Sequence, residues 1–142
     1  LKELDVVVAS PHAALGQDRG TATDRLVRAV EHPSVDVLGH PTGRLIAERE
    51  GLSPDIERVA AAAADAGTAL EINADPARLD LRGEFVRVAV DAGATVAVDT
   101  DAHAPGALES LRYGVHTARR GWCEPGDLLN TRPAERLRSF LH

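Results

Sequence analysis

Short apolar runs recur along the chain about every 30 residues, and an amphipathic stretch follows each one. The first run, over 4–10 (Leu4-Asp5-Val6-Val7-Val8-Ala9-Ser10), is almost continuously apolar, the pattern of a strand covered on both faces. Thr21 then predicts a helix cap, with Leu26, Val27, Ala29 and Val30 on one side of the helix and His32-Pro33 ending it. A second strand is predicted over 35–39, followed by an irregular stretch at 45–50. Ser53 as cap, Pro54 at the first helical position, and Asp55 and Glu57 in the first turn predict the next helix. Ile56, Val59, Ala60 and Ala63 form its apolar stripe, and Gly67 stops it. A third strand over 68–73 breaks at Asp75-Pro76, and a helix over 84–92 stops at Gly93. A fourth strand starts near Thr95, and a helix from Pro105 presents Leu108, Leu111, Val115 and Ala118. The tail reads as two short helices. The order β-α-β-α-β-α-β-α predicts a single α/β domain over 1–142 with a parallel sheet.

Chemistry-bearing residues gather where these strands end. His12 follows the first strand, His40 the second, Glu71 and Asn73 close the third, and Asp101 and His103 follow the fourth. In barrels and open α/β sheets, sites form at the carboxyl ends of strands. In extended chain Asp101 and His103 leave the same face, and a carboxylate beside an imidazole can hold a divalent cation. Each residue also has a plainer reading. A lone histidine can cap or hydrogen-bond a loop, and Glu71 can orient a ligand, touch substrate or sit at the polar rim. Arg44, in the His40-Pro41-Thr42-Gly43 loop, can hold a phosphate or form a surface ion pair. Arg19 is a second candidate for that task. Asp99 reads as a hydrogen-bonding partner of the strand end. Arg119 and Arg120 close a helix, where cations are favoured whether or not they touch DNA. His32, His116 and His142 are assigned no role, and Trp122 reads as a core or interface anchor.

Composition narrows the picture. At 142 residues, 44% apolar and only 3% aromatic, the core must be built from Val, Leu, Ile and Ala. A net charge of −6 disfavours nonspecific nucleic-acid binding by the metal-free chain, although bound cations would invert the local sign. The single Cys123 cannot form an internal disulfide, which suits a reducing, cytoplasmic setting. No apolar run is long enough to span a bilayer. The absence of methionine predicts that Leu1 is not a native start and that the chain is part of a longer protein.

Taken together, Ser10-Pro11-His12, Gly39-His40-Pro41-Thr42-Gly43-Arg44, Leu70-Glu71-Ile72-Asn73 and Asp99-Thr100-Asp101-Ala102-His103 resemble the later motifs of the PHP (polymerase and histidinol phosphatase) superfamily. Arg112-Tyr113-Gly114, Ala118-Arg119-Arg120-Gly121-Trp122 and Leu129-Asn130-Thr131 resemble the carboxyl end of bacterial family X DNA polymerases. The resemblance implies the last four or so βα units of a distorted seven-stranded barrel that holds three metal ions, manganese or zinc. It makes His12, His40, Asp101 and His103 metal ligands, and it places the earlier motifs and a polymerase domain before Leu1. The implied activity is metal-dependent phosphoester hydrolysis, a 3′–5′ exonuclease acting on DNA ends in repair, with no catalytic residue beyond the ligands. Arg44, Glu71, Asn73 and Arg19 are the substrate-side candidates. One alternative is a stand-alone phosphatase acting on small phosphomonoesters. Another is a non-catalytic chain that folds and associates through open barrel edges.

Overall fold

A computed structural model describes residues 3–141; Leu1, Lys2 and His142 lie outside the described residues. The chain alternates as the apolar pattern predicts: β1 (Val8–Ala9), α1 (Arg19–Val30), β2 (Val37–Leu38), α2 (Ile56–Ala66), β3 (Ala69–Asn73), α3 (Gly83–Asp91) and β4 (Val96–Asp99). A 3₁₀ turn (Pro105–Ser110) leads into α4 (Leu111–Arg120). Two further 3₁₀ turns, Pro125–Asp127 and Leu129–Thr131, precede the short α5 (Ala134–Arg138). The strands form one parallel sheet in the order β1-β2-β3-β4. Strand order that follows chain order is what consecutive βα crossovers produce.

The two faces of the sheet are covered differently. Leu38, Leu70, Ile72, Val96 and Val98 meet Leu26, Val59, Val86 and Ala118 from α1 to α4 in one continuous core. On the other face Val37, Ala69 and Ala97 are covered by Leu129, Leu137 and Phe140 of the tail. With α1 to α4 on one side and only the short α5 and the tail turns on the other, the sheet resembles a barrel wall more than a doubly wound sheet, which carries its crossover helices on both faces. Each fully buried Leu, Ile or Val contributes roughly 1.5–3 kcal/mol. The helix side therefore carries most of the apolar stabilisation. Among the described residues no helix is long and apolar enough to cross a membrane.

Several local expectations are corrected. The first two strands are shorter than their apolar runs, because ladder pairing covers only Val8↔Val37 and Ala9↔Leu38. Helix α1 starts earlier than Thr21, since the Asp18 carboxylate accepts the Thr21 N–H at 3.0 Å and serves as the cap. Asp55 rather than Ser53 caps α2, accepting the Arg58 N–H at 3.2 Å. Gly67 does end α2, at φ +74°.

The largest difference concerns α4. Leu108, Leu111 and Val115 are 62%, 45% and 42% exposed, and the buried positions are Gly114, Thr117 and Ala118. A side chain on Gly114 would come within 2.5 Å of Val98 and 2.8 Å of Ala74. The helix is thus turned so that its smallest residues face the sheet, and its larger apolar residues point elsewhere. Trp122 is 75% exposed, which removes the core half of its expected role.

Candidate metal centre

The loops leaving β1, β2 and β4 carry His12, His40 and Asp101 to one rim of the sheet. His40 is almost fully buried, whereas His12 is exposed, and their rings meet edge to face with centroids 4.9 Å apart. His40 Nε2 lies 4.0 Å from Asp101 Oδ2. His40 Nδ1 is buried without a hydrogen-bond partner. Burial, with the Arg78 guanidinium as the next influence, holds the His40 imidazole below its ordinary pKa. The ring is therefore neutral at neutral pH and keeps a lone pair to donate.

Two carboxyls behind this rim hold the backbone at His40 and Asp101. Glu71 accepts the main-chain N–H of His40. Burial, and then the Asp99 carboxylate beside it, push Glu71 up to about 9, so it stays protonated where an exposed glutamate would ionise. Asp99 accepts the Asp101 N–H at 3.1 Å, the strand-end role its spacing suggests. His40 and Asp101 both sit in left-handed backbone, at φ +26° and φ +49°. Such conformations in non-glycine residues persist only where the surroundings hold them, as these two carboxyls do here.

The left-handed turn at Asp101 corrects the expectation of extended chain there. Asp101 and His103 do not project side by side. The His103 ring is exposed and folds back, its Nδ1 2.6 Å from the Asp101 carbonyl oxygen.

The remaining sequence candidates lie outside the His12–His40–Asp101 cluster. Asn73 is fully buried, and its side-chain oxygen accepts the Asp75 N–H at 3.0 Å. Arg44 donates from Nε to the Arg78 carbonyl at 2.7 Å and from Nη2 to the Leu79 carbonyl. Arg19 is exposed and pairs with Asp55 at 3.3 Å, where α1 and α2 begin. Arg19, Arg44 and Thr42 line an open cavity of about 1010 Å³ between these helices and the 44–50 loop.

Two residues escaped the sequence reading. Arg78 sits with its Nε 3.7 Å from Asp101 Oδ2 and its side chain only 15% exposed. Asp80 is fully buried and accepts the N–H groups of Thr42 and Gly43 at 3.0 and 2.9 Å, fixing the turn behind His40. A signal existed for Arg78, because Asp75-Pro76-Ala77-Arg78 is the loop leaving β3 and so belongs to the same rim.

The donor chemistry fits a divalent cation: two neutral-capable imidazoles and a carboxylate, one of them with an orphaned buried nitrogen. Among the described residues, no group of three or more His, Cys, Asp or Glu side chains is placed to hold a metal ion.

No family model matches the chain. It is 42% identical over 141 residues to the DNA polymerase/3′-5′ exonuclease PolX of Bacillus subtilis, which covers 99% of this chain and 25% of the relative. It is 32% identical over 111 residues to a probable phosphatase of Shewanella sp. (strain ANA-3), covering 72% of this chain and 42% of the relative. The chain is PHP-like. A probable phosphatase of Caldanaerobacter subterraneus, 35% identical over 112 residues, agrees with this. The PHP-like chain thus spans about a quarter of the polymerase and well under half of these two phosphatases.

Proposed function

We propose that this chain is the carboxyl-terminal wall of a PHP phosphoesterase domain, part of a longer protein that trims DNA 3′ ends in repair. The observation that carries the reading is His40: buried, neutral, with an unpartnered ring nitrogen beside Asp101, at the carboxyl ends of parallel strands. Similarity over nearly the whole chain to a polymerase/exonuclease supports DNA ends as substrate. The phosphatase relatives support a second reading, hydrolysis of small phosphomonoesters.

In this proposal His12, His40 and Asp101 hold divalent metal, manganese or zinc, and His103 joins them once its ring turns away from the Asp101 carbonyl. A bound cation supplies Lewis acidity toward a phosphoryl oxygen. The chain's own residues prepare its place. Burial keeps His40 unprotonated, Asp101 brings the negative charge, and Glu71 and Asp99 fix the two loops so that the donors need not reorganise. Further ligands come from chain outside these 142 residues or from an associated molecule. A reducing, cytoplasmic setting completes the proposal and suits the one free cysteine.

The test is manganese and zinc binding to the purified chain by calorimetry, beside release of nucleotide from a labelled oligonucleotide and of phosphate from a small monoester. Metal binding that falls at least about tenfold in His40→Ala is the expected result. Cleavage of the oligonucleotide but not the monoester would select the first substrate class. Metal binding equal in wild type and His40→Ala would overturn the assignment of the centre.

A further inference from the structure

The strand-end pattern picked out Arg44 and Arg19 as phosphate-facing cations, but the fold puts a different guanidinium at the ligand cluster. Arg78 lies on the rim with its Nε 3.7 Å from the same Asp101 oxygen that faces His40. That separation is longer than the about 2.7–2.9 Å of a settled charge-assisted hydrogen bond. Its Nη1 is buried and has no hydrogen-bond partner. A buried guanidinium N–H without an acceptor is costly, and acceptors that match its planar fork are carboxylates and phosphates.

The neighbouring structure fixes where Arg78 begins. Its N–H donates to the Asp75 carbonyl at 2.8 Å, and the Asp75 carboxylate accepts the Ala77 N–H at 2.8 Å. From outside, Arg44 donates to the Arg78 carbonyl at 2.7 Å and to that of Leu79. Arg44 therefore acts as the clamp that holds the Arg78 loop against the rim. The competing cations have other partners: Arg19 pairs with Asp55, and Arg82 pairs with Glu84 and stacks on Phe85.

From this geometry we propose that Arg78 is the phosphate-binding residue of the centre, resting on Asp101 until a cation engages that carboxylate and then holding a phosphoester oxygen. The proposal rests on the phosphoesterase reading above. It gives Asp101 two exchangeable cationic partners, the guanidinium and the metal. Removing the guanidinium then has opposite effects on the two ligands: phosphate is lost, and metal is bound as well as before or better. A residue that only shaped the loop would weaken both.

The experiment titrates wild-type chain, Arg78→Met and Arg78→Lys with manganese alone and with inorganic phosphate in the presence of manganese, with circular dichroism checking that each variant is folded. Arg78→Met is expected to weaken phosphate binding at least about tenfold while manganese binding is unchanged or a few-fold tighter. Arg78→Lys keeps the charge without the fork and is expected to fall between. Phosphate bound equally by wild type and a folded Arg78→Met would overturn the assignment to Arg78 and leave the phosphoesterase reading standing. A parallel loss of manganese and phosphate in Arg78→Met would overturn it too, as would a variant that does not fold while Arg78→Lys binds phosphate like wild type. A wild-type chain that binds manganese but no phosphate would overturn the Arg78 proposal together with the substrate class.

Discussion

The two edges of the sheet are built in opposite ways. At the β4 edge, the Asn130 side chain takes the place of a fifth strand. Its oxygen accepts the Val98 N–H at 2.7 Å, and its amide donates to the Val98 carbonyl at 2.9 Å. Leu128 bridges to Val96 beside it, and Arg132 reaches the Thr95 hydroxyl at 2.9 Å. At the β1 edge, Leu4, Val6 and Val8 are about half exposed, and the strand is paired over two residues on one side. β3 and β4, by contrast, pair over four residues. An edge closed by a side-chain amide is a terminus, whereas an exposed apolar edge offers a surface for pairing. The half of the sheet near β4 also holds Glu71 and Asp99, the carboxyls that fix the His40 and Asp101 loops. The closed edge and the carboxyls behind the candidate site therefore belong to one half, and the exposed apolar edge to the other.

The β4 half is most sensitive at Glu71. A buried carboxyl raised from 4.5 to about 9 favours folding below the unfolded value, and that support is lost as pH climbs toward 9. Wild-type stability is therefore expected to fall over this window. Glu71→Gln can still accept the His40 N–H and does not titrate, so it should flatten the slope and gain roughly 2–4 kcal/mol at pH 7. Denaturant unfolding at a series of pH values measures this. An unchanged slope in Glu71→Gln would remove the protonated carboxyl from the account.

A smaller effect is expected at the closed edge. Asn130→Ala removes both bonds to Val98 and should cost about 1–2 kcal/mol in the same unfolding experiment. It should also increase self-association, because it opens a second edge. Were the variant as stable and as dispersed as wild type, Asn130 would not be what closes the β4 edge.

The smallest change in stability is expected at the open edge. Val8→Lys should leave the unfolding free energy within about 0.5 kcal/mol, since the side chain is half exposed. A charge there opposes strand pairing, so any concentration-dependent dimer seen by sedimentation should weaken. A wild-type chain that stays monomeric at every concentration would show that the β1 edge does not pair with a second copy.

The periodic parts of this fold were legible in the sequence. Alternating apolar runs gave the βα order and the parallel sheet, because burial on one or two faces leaves a repeat that can be read locally. The ends of β1, β2 and β4 located His12, His40 and Asp101 for the same reason. What the pattern could not show were pairings across more than thirty residues: Arg44 with the carbonyls of Arg78 and Leu79, and Asn130 with Val98. These depend on tertiary approach and leave no periodic trace. The rotation of α4 escaped for a related reason. Leu108, Leu111 and Val115 have the spacing of a buried stripe, yet Gly114 fits closer to Val98 than any of them could. At Asp101, a carboxylate two residues back captured the backbone N–H and turned a chain that its neighbours suggest should run straight.

The exposure of Trp122 determines what light can report about this molecule. It is the one indole in the sequence, and it already stands in water when the chain is folded. Its emission will barely change as the core comes apart, so a melting curve followed at that wavelength would look flat for a protein that unfolds normally. The same ring, free of interior neighbours, is well suited to register the arrival of another molecule on its side of the fold.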